Sequence, residues 1–219
     1  MLPPVLAIDG PSGAGKGTVS RLVAKKLGWH YLDSGSIYRA LAIAVLQKAI
    51  DVADEAGIVE IARTMELAFA CADGLTVTLD GNDITHQLSL ETTGNTASMI
   101  AVLPAVRAAL LEKQHSFRRM PGLVADGRDM GTVVFPDAPH KIFLTASAEK
   151  RAERRYKQLI EKGVDANLSR LLLDIQERDR RDSERAAAPL LIAADAVFLD
   201  TSEMPVESVI AEVLRLINK

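Results

Sequence analysis

The chain has 219 residues, of which 48% are hydrophobic and 25% charged, with a formal net charge of −3 and a sequence pI near 5.8. This is the balance of a globular protein with one sizeable core; it excludes intrinsic disorder and argues against a general nucleic-acid binder, which carries a basic excess. Aromatic residues make up only 4%, so the core must rest on Leu, Ile, Val and Ala.

Val5–Asp9 reads as a short buried strand that enters a glycine-rich turn. Residues 16–27 follow as a helix, with Val19, Leu22, Val23 and Leu27 on its apolar face and Gly28 at its end. "WHYLD" (29–33) is a second strand, and "SGSIYRALAIAVLQKAI" passes from a polar turn into an apolar helix. This order predicts a parallel sheet with helices packed on its faces. Between about 51 and 121 the rhythm changes. "LAFACADGLTVTLDGNDITHQL" alternates apolar and polar residues around "ADG" and "LDGND", both hairpin signals, and predicts a small antiparallel sheet inserted into the α/β core.

A helix around 92–103 and another from Pro104, a favoured first-turn residue, lead back to that core. "GLVAD" (122–126), "HKIFLTA" (140–146) and "AVFLDTS" (196–202) supply three further strands. The last helix, from about Pro205, places Val206, Val209, Ile210, Val213, Leu214 and Ile217 on one stripe. The expected architecture is α/β, five parallel strands flanked by helices with an antiparallel insertion over approximately 55–100, all within one domain spanning 1–219.

Cys71 is the one cysteine, so no intramolecular disulfide forms, and the four histidines (30, 86, 115, 140) lack ligand spacing for structural zinc. The N-terminus "MLPPVLAID" has no basic n-region, and the most apolar stretch, "ALAIAVL" (40–46), falls far short of the ~20 residues that span a bilayer. The expected location is the cytoplasm, without membrane contact.

The chemistry begins at "GPSGAGKGT", where Gly10, Pro11, Ser12, Gly13, Ala14, Gly15, Lys16, Gly17 and Thr18 stand between the first strand and helix. Backbone N–H groups of such a turn converge on one anion, and the lysine adds a mobile point charge, so the expected ligand is a nucleotide phosphate. The phosphate-loop pattern G-x-x-x-x-G-K-[S/T] puts a Mg²⁺-binding hydroxyl directly after the lysine. Gly17 occupies that place and Thr18 comes one residue late. Mg²⁺ must then rely more on phosphate oxygens and water, and Asp126, ending the strand "GLVAD", is a candidate for holding those waters; a simple turn-capping role is the alternative.

"IDGPSGAGKGT", "DSGSIYR" and "DGRDMGTVVFPDA" together resemble the bacterial cytidylate kinases, which are nucleoside monophosphate kinases, and G-K-G-T is that family's usual loop. The resemblance covers essentially the whole chain. It implies that Ser34 and Arg39 bind the monophosphate, and a hydroxyl and a guanidinium near a helix start suit an oxyanion. It also implies that Ser98 and Arg107 contact the pyrimidine, Arg128 the acceptor phosphate and Asp129 the cytosine. A carboxylate accepts from the exocyclic amine of cytosine but repels the carbonyl oxygen that uracil presents there.

Two arginine-rich segments, "EKRAERRYKQ" (149–158) and "ERDRRDSER" (177–185), are largely solvated helix faces by composition. Positions 178, 181, 182 and 185 nevertheless share one helical face, which would set Arg178, Arg181 and Arg185 on phosphates or base and Asp182 on the ribose. Arg151 and Arg155 resemble the arginines that open a mobile lid over ATP, here approximately 150–165. The expected reaction is phosphoryl transfer from ATP, with Mg²⁺, to CMP or dCMP by a monomer. Lys16, Arg128, Arg178 and Arg181 carry the charge neutralisation. A related kinase for UMP or another small acceptor is the alternative. A GTP-driven switch lacks its N-K-x-D motif, and the lid arginines argue against a catalytically silent nucleotide-binding module.

Overall fold

The apolar runs bounded by glycine or polar turns become strands, and the runs of helical period become the layers that cover them. The computed structural model of the chain describes residues 2–70, 76–161 and 163–217. In order, these form β1 (Val5–Asp9), α1 (Lys16–Leu27), β2 (His30–Asp33), α2 (Ser34–Gln47), α3 (Glu55–Thr64), β3 (Leu67–Ala70), β4 (Thr76–Leu79) and β5 (Asn82–Asp83). There follow α4 (Glu91–Ile100), α5 (Pro104–His115), β6 (Leu123–Gly127), β7 (His140–Thr145), α6 (Ala148–Glu161), α7 (Leu168–Glu184), β8 (Val197–Asp200) and α8 (Val206–Ile217). Two compact units result, Met1–Leu32 with Phe117–Lys219, and Asp33–Ser116.

The first unit carries a five-stranded parallel sheet in the order β2-β6-β1-β7-β8. β1 and β6 are buried along their whole length, the condition of central strands covered on both faces. Leu6 and Ile8, with Val124, Ile142 and Leu144 of the neighbouring strands, pack against Val19 and Val23 of α1 and Val209, Ile210 and Val213 of α8. The stripe expected on the last helix is therefore its core face, although Val206 in the first turn stays 41% exposed. In the parallel register Ile8 lies opposite Asp126 and Asp9 opposite Gly127, so both strands end in a carboxylate, the two one residue out of register. That edge is where open α/β sheets bind ligands.

In the second unit α2 packs on α4 and α3 on α5, beside the three-stranded antiparallel sheet β3-β4-β5. The caps explain the boundaries. The Asp33 carboxylate accepts from Ser36 N at 2.9 Å to start α2, the Asp54 carboxylate accepts from Gly57 N at 2.9 Å to start α3, and Pro104 opens α5. The "LDGND" signal is a tight hairpin turn with Asp80 and Gly81 at φ +50° and +81°, whereas "ADG" and Cys71 lie outside the described residues. The sequence reading missed α3, whose Ile58, Ile61 and Ala62 make a short buried stripe behind Asp54. Among the described residues no single helix is long and apolar enough to cross a membrane.

Candidate active site

The glycine-rich loop departs from β1 at Gly10, which has φ +148° and where a Cβ would fall 1.9 Å from the Leu144 carbonyl oxygen. No side chain fits so close to backbone, which is why this position is glycine. Lys16, the first residue of α1, is buried, and its Nζ donates to the Pro11 carbonyl at 2.8 Å. Burial, helped by the Arg128 guanidinium, pulls its ammonium down to about 7 against the opposite pull of Asp126, Asp9 and Asp182. An added anion at the loop favours the charged form. Arg151 is built against the same loop. Its guanidinium donates to the Ser12 carbonyl at 3.0 Å, to the Ala146 carbonyl at 2.9 Å and, through both terminal nitrogens, to the Asp179 carboxylate at 2.9 and 2.5 Å. Arg155, one turn further along α6, is half-buried.

Asp9 has a role that its place at the end of a strand did not signal. Its carboxylate accepts from Met130 N and Gly131 N, each at 2.8 Å, and so pins the segment that follows β6. Burial pushes Asp9 up to about 6, although those two amide bonds work against the shift. The pinned segment closes as a single π-turn over Met130–Val134, with the Asp129 carbonyl accepting from Val133 N and Val134 N at 2.9 and 3.0 Å.

Next to this turn, residues from the two distant motifs meet. Arg128 Nε donates to Asp182 Oδ2 at 2.6 Å, and Arg185 NH2 lies 3.8 Å from Asp129 Oδ1. Burial raises Asp182, yet Arg128, Arg178 and Arg185 outweigh it and hold the carboxyl below its ordinary range. Burial likewise works against the charge on Arg128, and Asp182 and Asp126 overcome it. Of the four positions expected on one helical face, 178, 182 and 185 come together around Asp182. Arg181 sits 3.4 Å from Glu177 and is partly exposed.

Asp126 accepts from the Tyr31 hydroxyl at 2.7 Å, and a Cβ at Gly17 would stand 3.5 Å from that hydroxyl and 3.9 Å from Asp126 Oδ2. A carboxylate and a phenol beside a phosphate loop are hard oxygen donors of the kind Mg²⁺ takes, so Asp126 fits as a residue holding the ion through water. Among the described residues there is no group of three or more His, Cys, Asp or Glu side chains able to hold a metal.

In the second unit, Ser34 is buried and its hydroxyl donates to Gln114 Oε1 at 2.8 Å. Arg39 donates to the Leu88 carbonyl and lies over α4 at Gly94, where a Cβ would come within 3.3 Å of its guanidinium. Arg107 stacks its guanidinium over the Tyr38 ring, 5.9 Å from the centroid. Among the described residues the buried Ser98 hydroxyl has no hydrogen-bond partner, an arrangement that suits a ligand contact. Helices of this unit carry Ser34, Arg39, Ser98 and Arg107, four of the residues expected to contact the acceptor.

A glycine turn with a buried lysine, followed across the sheet by an anchored arginine motif, is the kind of arrangement that suits anionic phosphate groups. The family model described as Cytidylate kinase matches residues 6–219. A cytidylate kinase from Methylococcus capsulatus is 56% identical over 215 residues, covering 98% of this chain and 97% of the other. One from Pseudomonas aeruginosa is 55% identical over 215 residues, covering 97% and 94%. The chain belongs to the cytidylate kinase family, and an alternative acceptor is not favoured. Among solved structures, a gluconokinase from Sinorhizobium meliloti 1021 aligns over 99% of this chain and 93% of its own at 17% identity and TM-score 0.48, too distant to bear on the substrate.

Proposed function

We propose that the chain transfers the γ-phosphoryl group of ATP to the phosphate of CMP or dCMP, giving ADP and CDP or dCDP. The observation that carries this reading is the charge cluster at the carboxyl ends of β1 and β6, where Lys16 and Arg128 lie among Asp9, Asp126 and Asp182. Residues 10–18 cradle the triphosphate through their backbone, and Lys16 neutralises charge on the phosphoryl group as it moves. Arg128, Arg178 and Arg181 share that task on the acceptor side. Ser34 and Arg39 hold the CMP phosphate, Ser98 and Arg107 the pyrimidine, Asp129 the cytosine amine, Asp182 the ribose and Arg185 the phosphates or base. Asp126 would hold Mg²⁺ through water, and the ion would supply further charge neutralisation to the phosphates.

The acceptor phosphate is already ionised at neutral pH, so positioning and charge neutralisation do the catalysis without a general base. The segment around 150–165, bearing Arg151 and Arg155, closes over ATP and excludes water that would otherwise compete as acceptor. All these roles come from one chain, so a monomer suffices, and the reaction belongs where ATP is held, in the cytoplasm. A coupled assay run side by side on CMP, dCMP, UMP and AMP tests the proposal. Preference for the cytidine nucleotides is expected. Equal turnover of CMP and UMP overturns the base assignment, and ATP hydrolysis without any acceptor preference overturns the kinase reading.

A further inference from the structure

Position 17 is where a phosphate loop ordinarily carries the hydroxyl that sits on Mg²⁺. The structure shows what lies beside the glycine that replaces it. The Tyr31 hydroxyl is 3.5 Å, and Asp126 Oδ2 3.9 Å, from the point where a Cβ at 17 would stand. Those two oxygens are joined by a 2.7 Å hydrogen bond in which the phenol donates. Tyr31 reaches this point from β2, and its ring packs against the core shared by β1, β6 and α1, which fixes where its hydroxyl ends. Asp126 is only 5% exposed, so solvent competes weakly for the bond. A hydroxyl and a carboxylate are thus delivered from the sheet to within reach of the place the loop's own hydroxyl would occupy.

We propose that Tyr31 is a positioning residue that takes over the work of the missing loop hydroxyl. Its O–H fixes the rotation of the Asp126 carboxylate, and the remaining carboxylate lone pairs then accept from water in the shell of Mg²⁺ on the ATP phosphates. This inference rests on the phosphotransferase reading above. Outer partners that orient a metal-holding carboxylate matter for the metal itself, and their loss weakens metal affinity by roughly 10- to 100-fold. Asp126 acts through water, so the low end, about tenfold, is expected here.

The test uses the full chain with four sequences: parent, Tyr31→Phe, Gly17→Ser, and both together. Tyr31→Phe keeps the packed ring and removes only the hydroxyl. A serine at 17 meets only ordinary van der Waals neighbours, and the backbone there is not left-handed. Mn²⁺ is titrated into the enzyme–ATP complex and followed by paramagnetic resonance, ATP binding is measured separately in EDTA, and CMP phosphorylation is followed against free Mg²⁺. The expected result is that Tyr31→Phe weakens Mn²⁺ binding about tenfold and raises the Mg²⁺ demand in step, while ATP binding in EDTA moves less than about twofold.

Adding Gly17→Ser to Tyr31→Phe should restore most of the metal affinity, because a hydroxyl returns to the same place. Unchanged Mn²⁺ binding in Tyr31→Phe overturns the inference, as does an equal loss of ATP affinity with and without metal. If Tyr31→Phe also lowers the melting temperature, rescue of metal binding by serine without rescue of melting still supports the role, and failure of that rescue overturns it. A parent chain that binds Mn²⁺·ATP but does not phosphorylate CMP would instead overturn the functional reading, and is scored separately.

Discussion

Asp129→Asn separates base reading from structural support more sharply than any other single change. The carboxylate is buried, and Arg185 NH2 lies 3.8 Å from it. At the effective dielectric of about 20 that suits such sites, the attraction across that gap is about 4 kcal/mol. Neutralising Asp129 forfeits only part of it, because Asp182 also acts on Arg185 and asparagine keeps an acceptor oxygen in place. A destabilisation of about 1–3 kcal/mol is therefore expected, and it falls on both substrates alike. Base reading is a different quantity. An amide can turn its N–H toward the uracil carbonyl and removes the charge that repels it, so the discrimination between CMP and UMP should narrow by about 1–3 kcal/mol, or about 5- to 150-fold.

The assay is the ratio of kcat/KM for CMP over UMP, run with a thermal melt of each variant. Arg185→Lys is the control: it disturbs the partner of Asp129 and leaves the carboxylate, so activity should drop with the ratio nearly intact. If Asp129→Asn lowers both substrates in parallel and the ratio holds, Asp129 serves Arg185 and does not read the base. The family membership would survive that result, and the origin of the cytosine preference would have to be sought among Ser98 and Arg107.

Lys16→Ala should lower kcat by about 10²–10³ while weakening ATP binding less, and a variant within twofold of the parent removes Lys16 from the mechanism. With its ammonium lowered to about 7, Lys16 is largely neutral at about pH 8, and ATP phosphates that raise it again must bring a proton in. Titration calorimetry in buffers of different ionisation enthalpy should show proton uptake on ATP binding at about pH 8, fading below about pH 6 and absent in Lys16→Ala. Hydrogen exchange with a bisubstrate analogue should slow across 150–165; unchanged exchange there, beside clear protection at 10–18, removes the lid. Gly10→Ala should abolish ATP binding or folding outright, since its Cβ would stand 1.9 Å from Leu144 O, and a stable, active Gly10→Ala chain contradicts the loop geometry.

What the sequence made legible is what local spacing encodes. The phosphate loop, the Gly28 stop, Pro104 and the Asp80-Gly81 turn each depend on a few adjacent residues, and each stands where expected. The face expected at 178, 181, 182 and 185 was legible in part for the same reason: Arg178 and Arg185 gather at Asp182, whereas Arg181, like Arg180, pairs with Glu177. Within each unit, the contacts that fix the candidate residues bridge long stretches of chain. Asp9 meets Met130 across 121 residues, Tyr31 meets Asp126 across 95, and Ser34 meets Gln114 across 80. None of these partners has a spacing signal, because register in the sheet and packing of the helices bring them together. The run at 149–158 shows the same limit. Arg151 is held by Ser12 and Asp179, and Arg154 donates to the Thr201 carbonyl at 2.6 Å, yet in sequence they are two of several indistinguishable arginines.

The net charge of −3 and the anionic ligands of a kinase are reconciled at the site itself. Lys16, Arg128, Arg178 and Arg185 are cations there, and Asp9, Asp126, Asp129 and Asp182 are carboxylates, so four formal positive charges stand among four formal negative ones. Guanidinium groups buried without those carboxylates would each cost several kcal/mol, and pairs such as Arg128–Asp182 and Arg151–Asp179 offset that cost inside the fold. A polyphosphate consequently meets donors held in place by acids, and not a broad positive field. A field of that kind attracts any polyanion and gives way to salt. Donors fixed at set distances favour a ligand whose phosphates and base match them, which is the selectivity a nucleotide kinase needs and a nucleic-acid binder does not. On the proposed function the acidic residues serve specificity as directly as the arginines do, and replacing one of them is expected to change which anion fits as well as how tightly.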